Sequence, residues 1–259
     1  MKPSAKPKHE VRHHRARAAD GVSIAYTLFR RPAAELLVLA PGFWRVRLAR
    51  ENLFLVHHFL RRGYDVVTLD FRGHGDSGGG YAFGVSEAHD FRTVIEELVG
   101  PRRLYERFAV LGLSMGGSIA AQALARRPRL PCRALAMISS PADLRSLRPK
   151  PWKIGALRQV RLRHAVRVPK LAARALEARH LSAARAVGAL SFPKLIVTSQ
   201  GDWLVDPSHG RILAEASAEP VEHVHLELPG SLHADGLVQA VPVRLLRVLN
   251  RWFARHAPP

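Results

Sequence analysis

Phe108-Ala109-Val110-Leu111-Gly112-Leu113-Ser114-Met115-Gly116-Gly117 is the stretch on which the reading of this chain turns. An apolar run enters the string Gly112-Leu113-Ser114-Met115-Gly116, and the small-residue run Gly117-Ser118-Ile119-Ala120-Ala121 leaves it. That is a strand, a sharp turn carrying a serine, and a helix. The glycines have a steric reason. The turn is so tight that side chains two residues either side of the serine would collide across it. The serine is lifted clear of the backbone, where a carbonyl and a histidine can both reach it. Gly-x-Ser-x-Gly alone is common by chance, and its place between strand and helix gives it meaning.

Other elements follow on both sides. Residues 22–29 alternate like a strand, and 36–40 form a short apolar run of the kind buried on both faces, ending at Pro41-Gly42. Residues 48–61 read as a helix stopped by Gly63, and 64–70 as a strand emptying into the Gly-rich loop Phe71–Gly80. A helix is expected over 86–99 with Ser86 as its cap, then strands over 107–112, 133–139, 194–198 and 221–228. Helices are expected from the turn to about 126, over 207–217, and as one amphipathic segment from about 235 to 255. Strands alternating with helices predict an α/β fold, a mostly parallel sheet with helices on both faces. Ligands bind beyond the carboxyl ends of such strands, and Ser114 stands at one.

The 259 residues suit one α/β core, assigned to residues 20–142 and 191–259. Residues 1–19 are basic, polar and without periodicity, and are expected to be a disordered arm. Residues 143–190 are expected to form a small basic helical cap. The net charge is +19, from 40 Lys+Arg against 21 Asp+Glu, and 14 of the 19 excess charges fall within 1–20 and 141–193. Such blocks are solvated faces or attract an anionic substrate or an acidic membrane surface. Few aromatics lie among the basic residues to stack bases, so no specific nucleic-acid partner is expected. A single cysteine, Cys132, excludes an intrachain disulfide. The start Met1-Lys2-Pro3-Ser4 has no apolar run behind it, and no apolar run of spanning length exists. A soluble, cytoplasmic protein is the expectation.

A serine hydroxyl at neutral pH needs a base to take its proton and an acid to orient that base. The base should stand in a loop after the last strand, where Pro229-Gly230-Ser231-Leu232-His233 offers His233. His223 and His225 lie two apart within the strand and share a face instead. For the acid, Asp202 directly follows the strand over 194–198, with Asp206 and Asp143 as alternatives. The order Ser114, Asp202, His233 is that of one class of serine-dependent enzymes. Two backbone N–H groups should face the developing oxyanion. Met115 supplies one at the helix N-terminus. The loop Pro41-Gly42-Phe43-Trp44 supplies the other, from Phe43 or secondly from Trp44, since Pro41 has no N–H. Phe43 and Trp44 also suit the wall of a substrate pocket. Gly75-Asp76-Ser77-Gly78-Gly79 imitates the nucleophile string of an all-β protease class, which an α/β pattern excludes.

Together these residues resemble the α/β-hydrolase superfamily over about residues 20–256. The resemblance rests on Pro41-Gly42-Phe43, Asp70-Phe71-Arg72-Gly73-His74-Gly75-Asp76-Ser77, the Ser114 string, Gln200-Gly201-Asp202 and Gly230-Ser231-Leu232-His233. It implies an eight-stranded, mostly parallel sheet, a cap inserted after the sixth strand, and no metal or cofactor. Asp70, Arg72 and His74 then belong to a structural loop. Pro41 stands where many members have histidine, and Ser199 where many have glycine. Members with an aspartate at the turn, epoxide hydrolases and dehalogenases, are set aside by Ser114. The strings look most like small carboxylesterases, monoacylglycerol-lipase-like and aminopeptidase-like members. The expectation is a serine hydrolase cleaving an acyl ester through an acyl-enzyme. A thioester or small-peptide bond is the alternative at the same site. A catalytically vestigial binding protein using the basic arm and cap is the alternative of another class.

Overall fold

The computed structural model describes residues 9–31, 35–148, 150, 170–172, 182–228, 230 and 232–259. The strands are β1 Glu10–Arg17, β2 Ser23–Arg30, β3 Glu35–Ala40, β4 Tyr64–Leu69, β5 Phe108–Leu113, β6 Cys132–Ile138, β7 Lys194–Ser199 and β8 Val221–Leu226. They form one sheet in the order β1-β2-β4-β3-β5-β6-β7-β8. β2 runs antiparallel to β4 and β1 antiparallel to β2, and all other pairs are parallel. Every residue of β4, β5 and β7 is buried, because helices cover both faces there.

The helices are α1 Arg50–Arg61, α2 Val85–Leu98, α3 Met115–Ala125, α4 Ala183–Val187, α5 Ser208–Ala216, α6 Asp235–Ala240 and α7 Pro242–His256. Phe91, Val94, Ile119, Ala186 and Leu213 bring α2, α3, α4 and α5 onto one face. Leu55, Phe59, Leu237, Leu249 and Trp252 bring α1, α6 and α7 onto the other. The eight-stranded, mostly parallel α/β architecture expected from the sequence is the one observed.

Three expectations need correction. Residues 10–17 are not part of a disordered arm but an edge strand, paired residue by residue with β2 from Glu10↔Arg30 to Arg17↔Ser23. Only Ala16 in it is buried, so it carries no apolar periodicity. The C-terminal helix is two helices. Pro242 lacks the N–H that a continuous helix needs, and Val241 takes φ −135° before a new helix starts at the proline. Ser86 lies inside α2. Glu87 performs the capping instead, accepting from the Gly84 and Ala82 amides at 2.5 and 2.7 Å.

Most of the basic segment 143–190 and all of residues 1–8 lie outside the described residues, so the expected helical cap and the outer arm are not described. Parts of the basic segment meet the core. The Lys150 amide donates to the Trp203 carbonyl at 2.6 Å, and its Nζ pairs with Asp206 at 2.8 Å. Lys170 and Ala172 bond the backbone of Gly73 and Tyr81. No helix of the described residues is long and apolar enough to cross a membrane.

The loop after β4 is held by buried charge. Asp70 pairs with the Arg47 guanidinium and accepts from the Arg47 and Asp76 amides at 2.6 and 3.0 Å. Arg72 bonds Asp90 at 2.7 and 2.8 Å, and Asp20 at 2.7 Å. Ser77 is spent on this framework. Its hydroxyl donates to the Asp70 carbonyl at 2.6 Å and accepts from the Ala25 amide at 2.8 Å.

Candidate active site

Ser114 sits between β5 and α3 with φ +52°, a left-handed conformation costly for a residue with a side chain. The packing around it enforces this. Its amide donates to the Ile138 carbonyl at 2.8 Å, and Gly42 crosses so closely that an added Cβ would lie 3.2 Å from the Ser114 Cβ. The serine therefore projects at the carboxyl end of the sheet.

His233, beyond β8, brings Nε2 to 2.8 Å from Ser114 Oγ. Its Nδ1 faces the Asp202 carboxylate at 2.9 and 3.0 Å. Asp202 Oδ1 also accepts from the Leu204 and Val205 amides at 2.9 Å each, so the carboxylate cannot rotate freely. All three side chains are buried. Burial by itself would lower the His233 pKa. The charge and hydrogen bond of Asp202 outweigh it and hold the pKa above the ordinary 6.5. Nδ1–H donating to Asp202 leaves Nε2 as the acceptor aimed at the serine.

The alternative acids do other work. Asp143 caps a short turn of helix and pairs with Arg145. Asp206 accepts from the Ser208 amide at 3.1 Å and pairs with Lys150, which lowers its pKa to about 2. His223 and His225 both bond Thr198 Oγ1, at 3.1 and 3.0 Å, on the face of β8.

The Trp44 amide faces His74 Nε2 at 3.4 Å. Burial lowers the His74 pKa and keeps that nitrogen an acceptor. The amides of Phe43 and Met115 have no protein acceptor among the described residues. A cavity of about 570 Å³ opens beside them, lined mainly by Phe43, Trp44, Phe83, Met115, Leu144, Leu147, Trp203, Leu204 and Val205, with Ser114, His233, Arg45, Asp235 and Gln239 as its polar groups. Such a lining suits an apolar chain. The Phe43 ring packs on Tyr81, Phe83 and His74 at 4.9, 5.1 and 5.5 Å between centroids. No group of three metal-binding side chains occurs among the described residues.

The family model described as serine aminopeptidase, S33 (Hydrolase_4), matches residues 32–171. The chain belongs to that family of α/β-hydrolases. It is thus an enzyme of the hydrolase class. A monoacylglycerol lipase of Mycolicibacterium smegmatis is 27% identical over 94% of this chain and 97% of its own. The Pyrococcus furiosus esterase Pf2001 superposes with a TM-score of 0.72 at 19% identity, covering 99% of this chain and 97% of that one. The esterase RhEst1 of Rhodococcus sp. ECU1013 gives 0.69 at 19% identity, covering 95% and 99%.

Two polar pairs at the site escaped sequence reasoning. Arg45 pairs with Asp235 at 2.6 Å, and Gln239 bonds Glu51. Each joins the loop and helix after β3 to the segment after His233. Their partners lie 190 and 188 positions apart, and no local pattern announces such a contact.

Proposed function

We propose that this hydrolase cleaves carboxylic esters of apolar acyl chains through an acyl-enzyme on Ser114. The carrying observation is the unbroken line from Asp202 through His233 to Ser114, ending in the wall of an apolar cavity. In this reading Ser114 Oγ attacks the ester carbonyl while His233 Nε2 takes its proton. Asp202 stabilises the imidazolium. The amides of Met115 and Phe43 hold the oxyanion, each worth about 10²–10³ in rate. Collapse expels the alcohol, protonated by His233. Water, deprotonated by the same nitrogen, then releases the acid and restores the serine.

The family's aminopeptidase members make a small-peptide bond the second reading, and a thioester uses the same steps. The one carboxylate lining the cavity among the described residues is Asp235, and its Oδ2 is neutralised by Arg45 at 2.6 Å, against a largely apolar remainder of the wall. That favours the ester. The basic segment 143–190 is proposed to cover the cavity as a cap, tied down at Lys150 and Lys170.

The test pairs a fluorophosphonate probe with a chain-length series of p-nitrophenyl esters, a CoA thioester, an aminoacyl anilide and a carboxylate-bearing ester at two salt concentrations. Labelling that vanishes in Ser114→Ala, with kcat/KM highest for a neutral ester, is the expected result. Labelling that survives Ser114→Ala, or an anilide cleaved faster than every ester, overturns the proposal. A salt-sensitive preference for the carboxylate-bearing ester would assign selection to the basic cap.

A further inference from the structure

Two tight turns hold the groups that meet the reacting carbonyl. The first is Gly42-Phe43-Trp44-Arg45, closed by the Arg45 amide donating to the Gly42 carbonyl at 3.2 Å. Phe43 and Trp44 are its corners, and Trp44 has φ +65°. The second is His233-Ala234-Asp235-Gly236, closed by the Gly236 amide donating to the His233 carbonyl at 2.7 Å. Its Ala234 has φ +29°. Neither left-handed residue is a glycine, so each turn is held in a strained conformation that its surroundings must offset. Left alone, both turns would relax toward ordinary dihedrals, and Phe43 N and His233 would shift with them.

One ion pair spans the gap between them. Arg45 Nε donates to Asp235 Oδ2 at 2.6 Å, with only 11% and 13% of the two side chains exposed. Arg45 stands two residues after Phe43, and Asp235 two residues after His233. The Glu51–Gln239 bond adds a second link, between α1 and α6. We infer that Arg45 and Asp235 form a staple that sets the distance between the oxyanion loop and the general base, acting as positioning residues for the reaction proposed above.

The inference rests on that reading of Ser114 and His233. Both residues also line the cavity, and on a short ester the loss of the staple should lower kcat far more than it raises KM. It also places two opposite charges near His233, whose other charged neighbour is Asp202. Asp235→Asn removes a charge that favours the imidazolium, and Arg45→Met removes one that disfavours it. The two variants should therefore move the acid limb of the kcat/KM profile in opposite directions, down for Asp235→Asn and up for Arg45→Met. A merely structural contact would not give the split between kcat and KM, while the opposite signs check that both charges face His233.

The experiment measures kcat and KM on a short p-nitrophenyl ester for Arg45→Met, Arg45→Lys, Asp235→Asn and the double variant Arg45→Met/Asp235→Asn. Folded sites are counted by fluorophosphonate titration. About a tenfold or larger fall in kcat per titrated site is expected for Arg45→Met and Asp235→Asn. KM should change less than about threefold, the double variant should be no worse than the poorer single one, and Arg45→Lys should recover part of the loss. Wild-type kcat per site in both single variants, or additive losses in the double, overturns the staple while the Ser114 reading stands. Absence of Ser114 labelling in the wild type overturns that reading, and the staple with it.

Discussion

Ser199 Oγ donates to the Leu232 carbonyl at 2.7 Å, tying the end of β7 to the residue before His233. The position is one where many α/β-hydrolases carry glycine, and here the residue is buried with its hydroxyl proton committed to that carbonyl. Ser199→Ala leaves that carbonyl without its partner and frees the loop bearing His233. A net loss of about 0.5–1.5 kcal/mol is expected. Steady-state kinetics should show it mainly as a lower kcat, and thermal unfolding as a small drop in Tm. Unchanged values in both would show that the loop holds itself.

The pH profile follows from His233. Its pKa stands above 6.5 because Asp202 outweighs the effect of burial, and only the neutral imidazole can accept the serine proton. Activity is therefore lost as pH falls through a value above 6.5, and kcat/KM measured across pH should place its acid limb there. Asp202→Asn should move that limb down and reduce kcat by about 10⁴. Stability has the opposite sign for this residue. Protonation of His233 favours the folded state below 6.5, and that gain disappears as pH rises through the raised value. His74, whose pKa burial lowers, penalises the fold as pH drops below 6.5. An acid limb below 6.5 would contradict the coupling between His233 and Asp202.

Arg72 is expected to be the most sensitive position away from the serine. Its guanidinium is the partner of Asp90, whose side chain is completely buried. Arg72→Met strands that carboxylate, at about 3–5 kcal/mol. Urea titration should report the loss as a lower midpoint with an unchanged slope. Replacing both residues, Arg72→Met with Asp90→Leu, should recover much of it. A single variant as stable as the wild type would mean that Asp90 finds another partner.

Gly116 packs against the backbone of β3, where an added Cβ would overlap the Ala40 and Pro41 carbonyl oxygens. Gly116→Ala must push α3 away from β3, at about 1–3 kcal/mol. The same shift moves the Met115 amide, so denaturant unfolding and kcat should fall together. Intact activity with reduced stability would show that the turn adapts independently of the helix.

The sequence made legible whatever is repeated or local. Apolar runs such as 36–40 and 108–111 are buried on both faces, so they read as strands without help from periodicity. Ser114, Asp202 and His233 each lie beyond the carboxyl end of a strand, and strand ends can be found from the runs before them. β1 was hidden for the opposite reason. Its side chains are exposed and charged, and it exists because β2 offers backbone partners rather than because its own residues prefer extension. Pro242 did announce the break before α7, but the amphipathic pattern on both sides of it reads as continuous. Arg45 and Asp235 were silent because ion pairs between distant loops have no period.

β1 also settles how the sheet ends. Its outer edge displays Arg12, His13, His14, Arg15 and Arg17, and Arg15 reaches back to the Asp76 carbonyl at 2.8 Å. An uncovered edge strand is an invitation to a neighbouring chain, and a row of like charges withdraws it. Two copies approaching edge to edge would bring arginine against arginine, the more so once the histidines are protonated. The basic stretch of β1 thus works as a fence, set against edge-to-edge approach at one of the two borders of the sheet, β8 being the other.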